Sequence, residues 1–458
     1  MIVLKPDLCI LGAGSGGLVV AAGAAQMGAQ VVLLEPHKMG GDCLNYGCVP
    51  SKALLAAAAS YPRPAYGEAM QRVQAAIAAI APNDSVERFE GLGVQVIQEA
   101  GRFVDSRTVA TAGGTHIRAR RFVIATGSRP RLPPVPGLES LPYLTNETLW
   151  DLREAPDHLV IIGGGPIGCE MALAHARLGS RVTVLQRSTI LPKDDPDLVA
   201  VVRRRLLAGG VDIREGVEAT TANSSAGRFS LALSDGSTLA GSHLLVAAGR
   251  EASVDGLDLD AAGVALDRGA VRTDAGMRTS NRRIFAIGDV SGGPQFTHAA
   301  AYQAGVVIKR ALFYLPAKAD PGLIPWATYT DPELAHVGLT EAMARERHGP
   351  DDVRILTWPF EENDRAIATG ETDGLVKVVA TRSGRVLGCS IAGPHAGELI
   401  LPWCLAIQNR LKIGALAQVI APYPTLSEAW KRAAGSYYSE SLFSGRTRRI
   451  VRWLQKLP

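Results

Sequence analysis

Leu8-Cys9-Ile10-Leu11-Gly12-Ala13-Gly14-Ser15-Gly16-Gly17 decides the fold of this chain. Four apolar residues read as a short buried strand. Gly12, Gly14 and Gly17 follow in the pattern G-x-G-x-x-G, and an alanine-rich helical run extends to about Met27. A second apolar strand, Val31-Val32-Leu33-Leu34, ends at Glu35. Strand, glycine turn, helix and strand with a terminal acid make up the dinucleotide-binding unit. The glycines let the backbone approach a pyrophosphate, which sits on the helix N-terminus. Glu35 is placed to accept hydrogen bonds from a ribose diol.

The unit occurs twice. Leu159-Val160-Ile161-Ile162 leads into Gly163, Gly165 and Gly168 with the same spacing; a helix follows to about Leu178, then the strand Arg181 to Leu185. Glu35 lies 23 residues past Gly12, and Gln186 lies 23 residues past Gly163. The two units are in register and differ at the position that reads the ribose. An acid repels a 2′-phosphate and an arginine accommodates it, so Gln186 followed by Arg187 points to NADP over NAD as the second dinucleotide. The fold class expected is α/β, with two Rossmann-like domains and a C-terminal α+β domain.

Directly after the first unit stands Gly40-Gly41-Asp42-Cys43-Leu44-Asn45-Tyr46-Gly47-Cys48-Val49-Pro50-Ser51-Lys52. On an ideal helix Cys43 and Cys48 are roughly 140° apart, whereas a disulfide needs Cα atoms within about 7 Å. The backbone must therefore be distorted between them, and Gly47 permits that. A strained, accessible pair cycles between oxidation states instead of stapling the fold. Two inert thiols, or half of a metal site, are the alternatives; no set of metal ligands is read.

With these motifs the chain resembles the pyridine nucleotide-disulfide oxidoreductases (class I), in particular dihydrolipoamide dehydrogenase and the catalytic core of mercuric reductase. The resemblance runs over essentially all 458 residues. Gly40 to Lys52 resembles the family's redox disulfide, and Ala125-Thr126-Gly127-Ser128 and Ala247-Ala248-Gly249-Arg250 its strand-end signatures. Ile287-Gly288-Asp289-Val290 resembles its second FAD contact; Thr330 to Glu333 and Gly393 to Leu399 resemble its dimerisation domain. The resemblance implies FAD, a diffusible NADP or NAD, and a homodimer with shared active sites. It makes Cys48 the flavin-proximal thiol, Cys43 the thiol that meets substrate, and Lys52 the partner of Glu170. The expected divisions are 1–148 for the first part of the FAD-binding domain, 149–271 for the NAD(P)-binding domain, 272–324 for the FAD-binding return segment and 325–458 for the dimerisation domain. The substrate expected is a small thiol or disulfide, or a lipoyl-type carrier protein.

The departure lies near the C-terminus. Where these reductases carry His-Pro-Thr with a glutamate shortly after, this chain reads Tyr423-Pro424-Thr425 with Glu428. A phenol with an ordinary pKa near 10 shuttles protons at neutral pH less well than imidazole. Mercuric reductases carry a Pro-Tyr pair here, but also a vicinal cysteine pair at the C-terminus, and no cysteine follows Cys404. The reductase of a thiol or disulfide substrate is the leading reading. A metal-ion or quinone reductase is the second, and a non-enzymatic flavin-bearing redox sensor or partner subunit the third. Prolyl bonds in cis are expected before Pro332 and Pro424 from the resemblance.

Composition agrees with an enzyme of this size. Hydrophobic content of 47% supports large cores, and a net charge of +4 gives no basic stripe for nucleic acid. Six cysteines are too few for a disulfide scaffold, and Cys9, Cys169, Cys389 and Cys404 read as core residues. No signal peptide is read before the first strand and no apolar run of about 18 residues could span a bilayer; a soluble, cytoplasmic protein is expected. The tail from Arg446 to Lys456 is basic with interleaved apolar positions. It reads as a solvated or dimer-docked helix before it reads as a contact for a membrane or an acidic partner.

Overall fold

The computed structural model describes residues 2–225 and 228–457. The chain forms two compact units, Met1–Ser188 with Val211–Pro321, and Thr189–Gly210 with Gly322–Pro458.

The first unit holds two five-stranded sheets of the same plan. One has the order Ile284–Ala286, Arg121–Ile124, Leu8–Leu11, Val31–Leu34, Val94–Ile97; the other has Tyr143–Leu144, His243–Val246, His158–Ile162, Arg181–Gln186, Val211–Glu215. Every neighbouring pair in both is parallel. Parallel strands are covered on both faces and so read as unbroken apolar runs; all four residues of Leu8–Leu11 and of Val31–Leu34 are buried. In each sheet the glycine-turn strand is central, and the duplication extends to single bonds. Gly12 N–H donates to Leu34 O at 2.8 Å and Gly163 N–H to Leu185 O at 2.9 Å.

Small residues bring the helices close. Ser15–Gln26 packs on Thr297–Ala311 through Leu18, Ala21 and Ala24 against Ala304, Val307 and Ala311. A methyl on Gly23 would come within 2.8 Å of Ile308 Cδ1. The helices Cys48–Ala59 and Tyr66–Ile80 are parted at a segment that holds Pro62 and Pro64.

The second unit is built on an antiparallel sheet with the order Trp326–Thr328, Glu333–Gly338, Val386–Gly393, Leu375–Thr381, Val353–Pro359. Trp403, Trp430, Phe360 and Ile391 fill the core beside it. One of the buried polar strand residues is a lysine. The Lys377 side chain is 6% exposed and lies 2.8–2.9 Å from carboxylate oxygens of Asp195, Asp197 and Glu341. Burial alone would lower its pKa, but the bonds to the three carboxylates outweigh it and hold the amine charged. Cys9, Cys169 and Cys389 are buried as expected, whereas Cys404 is only half-buried at the edge of this core. The bonds Asp331-Pro332 and Tyr423-Pro424 are cis, as expected, and so is Tyr61-Pro62.

Candidate active site

The cysteine segment is laid directly on the first glycine turn. Gly40 and Gly41 take φ of 87° and 60°, a region that favours glycine. A side chain on Gly41 would strike Gly14 Cα at 2.6 Å. The chain then forms the short helix Gly41–Asn45, leaves it at Tyr46 and Gly47, and re-enters helix at Cys48–Ala59. Gly47, at φ −120° and ψ −106°, provides the break. Cys43 and Cys48 thus sit on two helices, which removes the angular separation of a single one. Both thiols are free.

Cys43 hydrogen-bonds to Cys48, and this bond is the largest influence on both groups. It lowers the Cys48 thiol to about 6 against the opposing effect of burial, with further help from Thr297 and the charge of Lys52; Asp42 acts the other way. The Cys43 thiol is raised far above its usual range by the same bond, by burial and by the neighbouring negative charge. Thr297 Oγ1 lies 3.4 Å from Cys48 Sγ. Cys48 also stands at the first turn of a twelve-residue helix, where the dipole favours an anion. One thiolate and one thiol that can donate to it result.

Lys52, one turn along the same helix, contacts Glu170 Oε2 at 2.8 Å. Glu170 comes from the helix Pro166–Arg177, and its side chain is 4% exposed. A charge so nearly buried requires a partner.

The two glycine turns fit dinucleotides. A Cβ on Gly12 or Gly163 would lie 2.4 or 2.3 Å from a carbonyl oxygen, of Ala125 or Ala247, and one on Gly17 or Gly168 would lie 1.9 Å from the oxygen of Gly12 or Gly163. The middle glycines differ. A Cβ on Gly14 would find nothing nearer than Gly41 Cα at 4.0 Å, and one on Gly165 nothing within 4 Å. First and third glycines close the turn and seat the helix, while the second leaves room for a phosphate. Neither helix N-terminus has a side-chain cap, so their N–H groups are available to an anion.

Ala13 N–H donates to Glu35 Oε2 at 2.7 Å, and Gly164 N–H donates to Gln186 Oε1 at 2.8 Å. Glutamine supports the second turn as glutamate supports the first, without the negative charge. The Gln186 amide also donates to Ser188 Oγ at 3.0 Å, and Arg187 is exposed beside it.

Of the remaining cofactor-binding candidates, Asp289 meets Arg250, the residue after Gly249 in its motif. The Arg250 side chain is 12% exposed. It donates to Ser128 Oγ at 2.7 Å and to Asn146 Oδ1 at 3.2 Å. It lies 3.3 Å from Asp42 Oδ1 and 3.8 Å from Asp289 Oδ2. Asp289 accepts from the Ser128 hydroxyl, and burial raises its pKa against the opposing effects of Ser128 and Arg250. Gly288 N–H donates to the buried Gln303. Thr126 Oγ1 donates to Ser253 O, and the Gly127 and Gly249 carbonyls accept from Ser253 and Arg131. Asn146 and Thr297 carried no signal, since each meets its partner more than 100 residues away. His298 stacks on Phe296.

Tyr423 is 71% exposed in the single chain. Its phenol donates to Asp364 Oδ2 at 2.8 Å, and that bond, more than the charge of Glu428, raises its pKa. Asp364 orients the phenol from the start of the helix Asp364–Thr369.

Two dinucleotide units, an adjacent thiol pair and a lysine paired with a buried glutamate define a pyridine-nucleotide-linked reductase. Residues 6–304 match the pyridine nucleotide-disulphide oxidoreductases and residues 324–434 match their dimerisation domain; the chain belongs to this family. A mercuric reductase of Streptomyces lividans is 35% identical over 459 residues, covering 95% of this chain and 96% of the relative. A dihydrolipoyl dehydrogenase of Chlamydia muridarum is 34% identical over 454 residues, covering 93% and 96%. The Cu(II) complex of the HOCl-induced flavoprotein disulfide reductase RclA from Escherichia coli superposes with a TM-score of 0.88 at 28% identity, covering 94% of this chain and 99% of that one. This chain is thus an oxidoreductase of the flavoprotein disulfide reductase family, which implies FAD and NAD(P), and its dimerisation domain points to the family's homodimer. Among the described residues no helix is long and apolar enough to cross a membrane.

Proposed function

We propose that this protein reduces a disulfide or thiol-bound substrate with NADPH, through Cys43 and Cys48. The observation that carries this reading is the hydrogen-bonded thiol–thiolate pair with Cys48 near 6. In the reduced enzyme the Cys48 thiolate takes the Cys43 proton. Cys43 sulfur attacks one substrate sulfur, the substrate S–S bond breaks, and the first thiolate leaves. Cys48 passes that proton to the departed thiolate and attacks Cys43, the mixed disulfide breaks, and the second thiolate leaves, so the substrate gains two electrons and Cys43–Cys48 becomes the disulfide. NADPH restores the dithiol, and FAD when bound supplies the two-electron relay between nicotinamide and disulfide. Gly12, Gly14, Gly17, Glu35, Gly41, Thr126, Gly127, Gly288 and Asp289 hold FAD in this reading, within 1–148 and 272–324. Gly163, Gly165, Gly168, Gln186, Arg187 and Gly249 hold the nicotinamide dinucleotide within 149–271. Lys52, paired with Glu170, keeps positive charge beside Cys48. Residues 325–458 carry the dimer, in which Tyr423 and Glu428 face the partner's cysteines. A cytoplasmic location, where thiols are kept reduced, suits this chemistry.

A metal-ion acceptor is the second reading, favoured by the Tyr423–Asp364 bond. A phenol donating to a carboxylate, with its pKa raised, is not placed to take a proton from a dithiol, and metal-ion reduction needs no such base. NADPH oxidation is measured with small disulfides, lipoamide and Hg(II) or Cu(II), beside Cys43→Ser. Turnover of a disulfide that Cys43→Ser abolishes, with NADPH better than NADH, is the expected result. Turnover of metal ions alone selects the second reading, and disulfide turnover unaffected by Cys43→Ser overturns the first.

A further inference from the structure

The chain closes with the helix Gly445–Leu454, capped by Ser444, whose hydroxyl accepts from Thr447 N–H. No residue of this helix is buried. A ten-residue helix is marginal in water by propensity alone, so a face needs covering. At 100° per residue, Arg448, Arg449 and Arg452 fall within roughly 100° of arc. Ile450, Trp453 and Leu454 fall within a similar arc, centred about 150° away. Trp453 is 64% exposed, and Leu442 and Phe443, just before the helix, are exposed too. Arg446 lies at the first turn of the apolar face, where a long side chain can reach outward from an apolar surface.

Two observations choose the cover. Residues 445–457 contain five cations and no acid. The nearest preceding acid, Glu440, is engaged with Arg354 at 3.2 Å. The match to the family's dimerisation domain also stops at residue 434, before this helix begins. A short, strongly amphipathic helix with arginines on one face and tryptophan and aliphatics on the other is suited to lie in a lipid–water interface. We propose that Gly445–Leu454 docks this enzyme on anionic membrane surfaces, with Ile450, Trp453 and Leu454 among the acyl chains and Arg448, Arg449 and Arg452 at the headgroups. The docking is independent of the substrate and of the cysteine chemistry.

The test uses the holoenzyme, sedimented with vesicles of phosphatidylcholine alone or with about one third phosphatidylglycerol, at about 0.1 M salt, where charges are seen over about 10 Å. The protein is expected to bind the anionic vesicles only and to be released by high salt. Each arginine near such a surface contributes about fivefold in affinity, so Arg448→Gln/Arg449→Gln/Arg452→Gln should weaken binding about a hundredfold. Trp453→Ala should weaken it separately. NADPH oxidation and the dimer should be unchanged in both variants. Equal binding to neutral and anionic vesicles, or binding to neither, overturns the proposal. Dissociation of the dimer by Trp453→Ala assigns the helix to the subunit interface and also overturns it. Retention on an immobilised polyglutamate without vesicle binding assigns it to an acidic protein, with the same consequence.

Discussion

At the scale of single residues the site is a competition over one proton. The Thr297 hydroxyl lowers both thiols, but only Cys48 has a donor thiol and the charge of Lys52 around it. A fall from 9.0 to about 6 leaves Cys48 about nine-tenths thiolate at neutral pH. Alkylation by iodoacetamide in the reduced enzyme should therefore rise through half-maximum near pH 6 and label Cys48, identified by peptide mapping. Lys52→Met should move that midpoint up by about one unit, since an opposite charge close by shifts a pKa by one to three. The same variant removes the ion pair of the nearly buried Glu170, so Lys52→Met/Glu170→Gln is the better folded control. The midpoint should shift in both; a shift in neither would show that Lys52 acts only as a structural partner. The Lys52–Glu170 pair spans 118 positions and was legible only because both residues match a family pattern. The Tyr423–Asp364 bond was not legible, because no local pattern ties an exposed aspartate to a phenol 59 residues on.

At the scale of elements the two glycine turns make their own controls. Gly14→Ala places a methyl in the space beside Gly41, whereas Gly17→Ala places one 1.9 Å from Gly12 O. The first should fold normally and lose flavin. The second should destabilise the flavin-free protein by about 3 kcal/mol, the upper range for overpacking. Flavin absorbance per chain and urea unfolding of the apoprotein separate the two effects. A Gly14→Ala protein that keeps its flavin would remove that glycine from the phosphate site. These elements were legible because buried parallel strands and glycine turns are local signals, which also placed Glu35 and Gln186 at matching positions. Lys377 was not legible. Its strand reads Leu375-Val376-Lys377-Val378, which predicts an exposed lysine, and its carboxylates lie on Asp195, Asp197 and Glu341, far off in sequence. The Arg250 hub escaped for the same reason, since four separate segments supply its partners.

At the scale of the whole molecule the question is how many chains make one site. Tyr423 is exposed in the single chain and held by Asp364, and the chain carries its family's dimerisation domain. If Tyr423 completes the partner's cysteine site, its side chain and Cys43 of the same chain serve different centres. Hybrid dimers test this without any assumption about the substrate. Cys43→Ser alone should be inactive, and Tyr423→Ala alone should lose most of its turnover. In a hybrid of the two, one centre receives both defects and the other receives neither. With shared centres the hybrid should regain about half of the native activity per dimer, because each intact centre needs one normal cysteine pair and one normal tyrosine. With unshared centres it should show no more than half the activity of the Tyr423→Ala dimer. Tyr423→His in the same format asks whether the tyrosine limits proton transfer. A gain in dihydrolipoamide oxidation would show that an imidazole does what the Asp364-bound phenol does not. No gain would leave a shared centre standing and favour an acceptor that takes electrons without needing a base at this position.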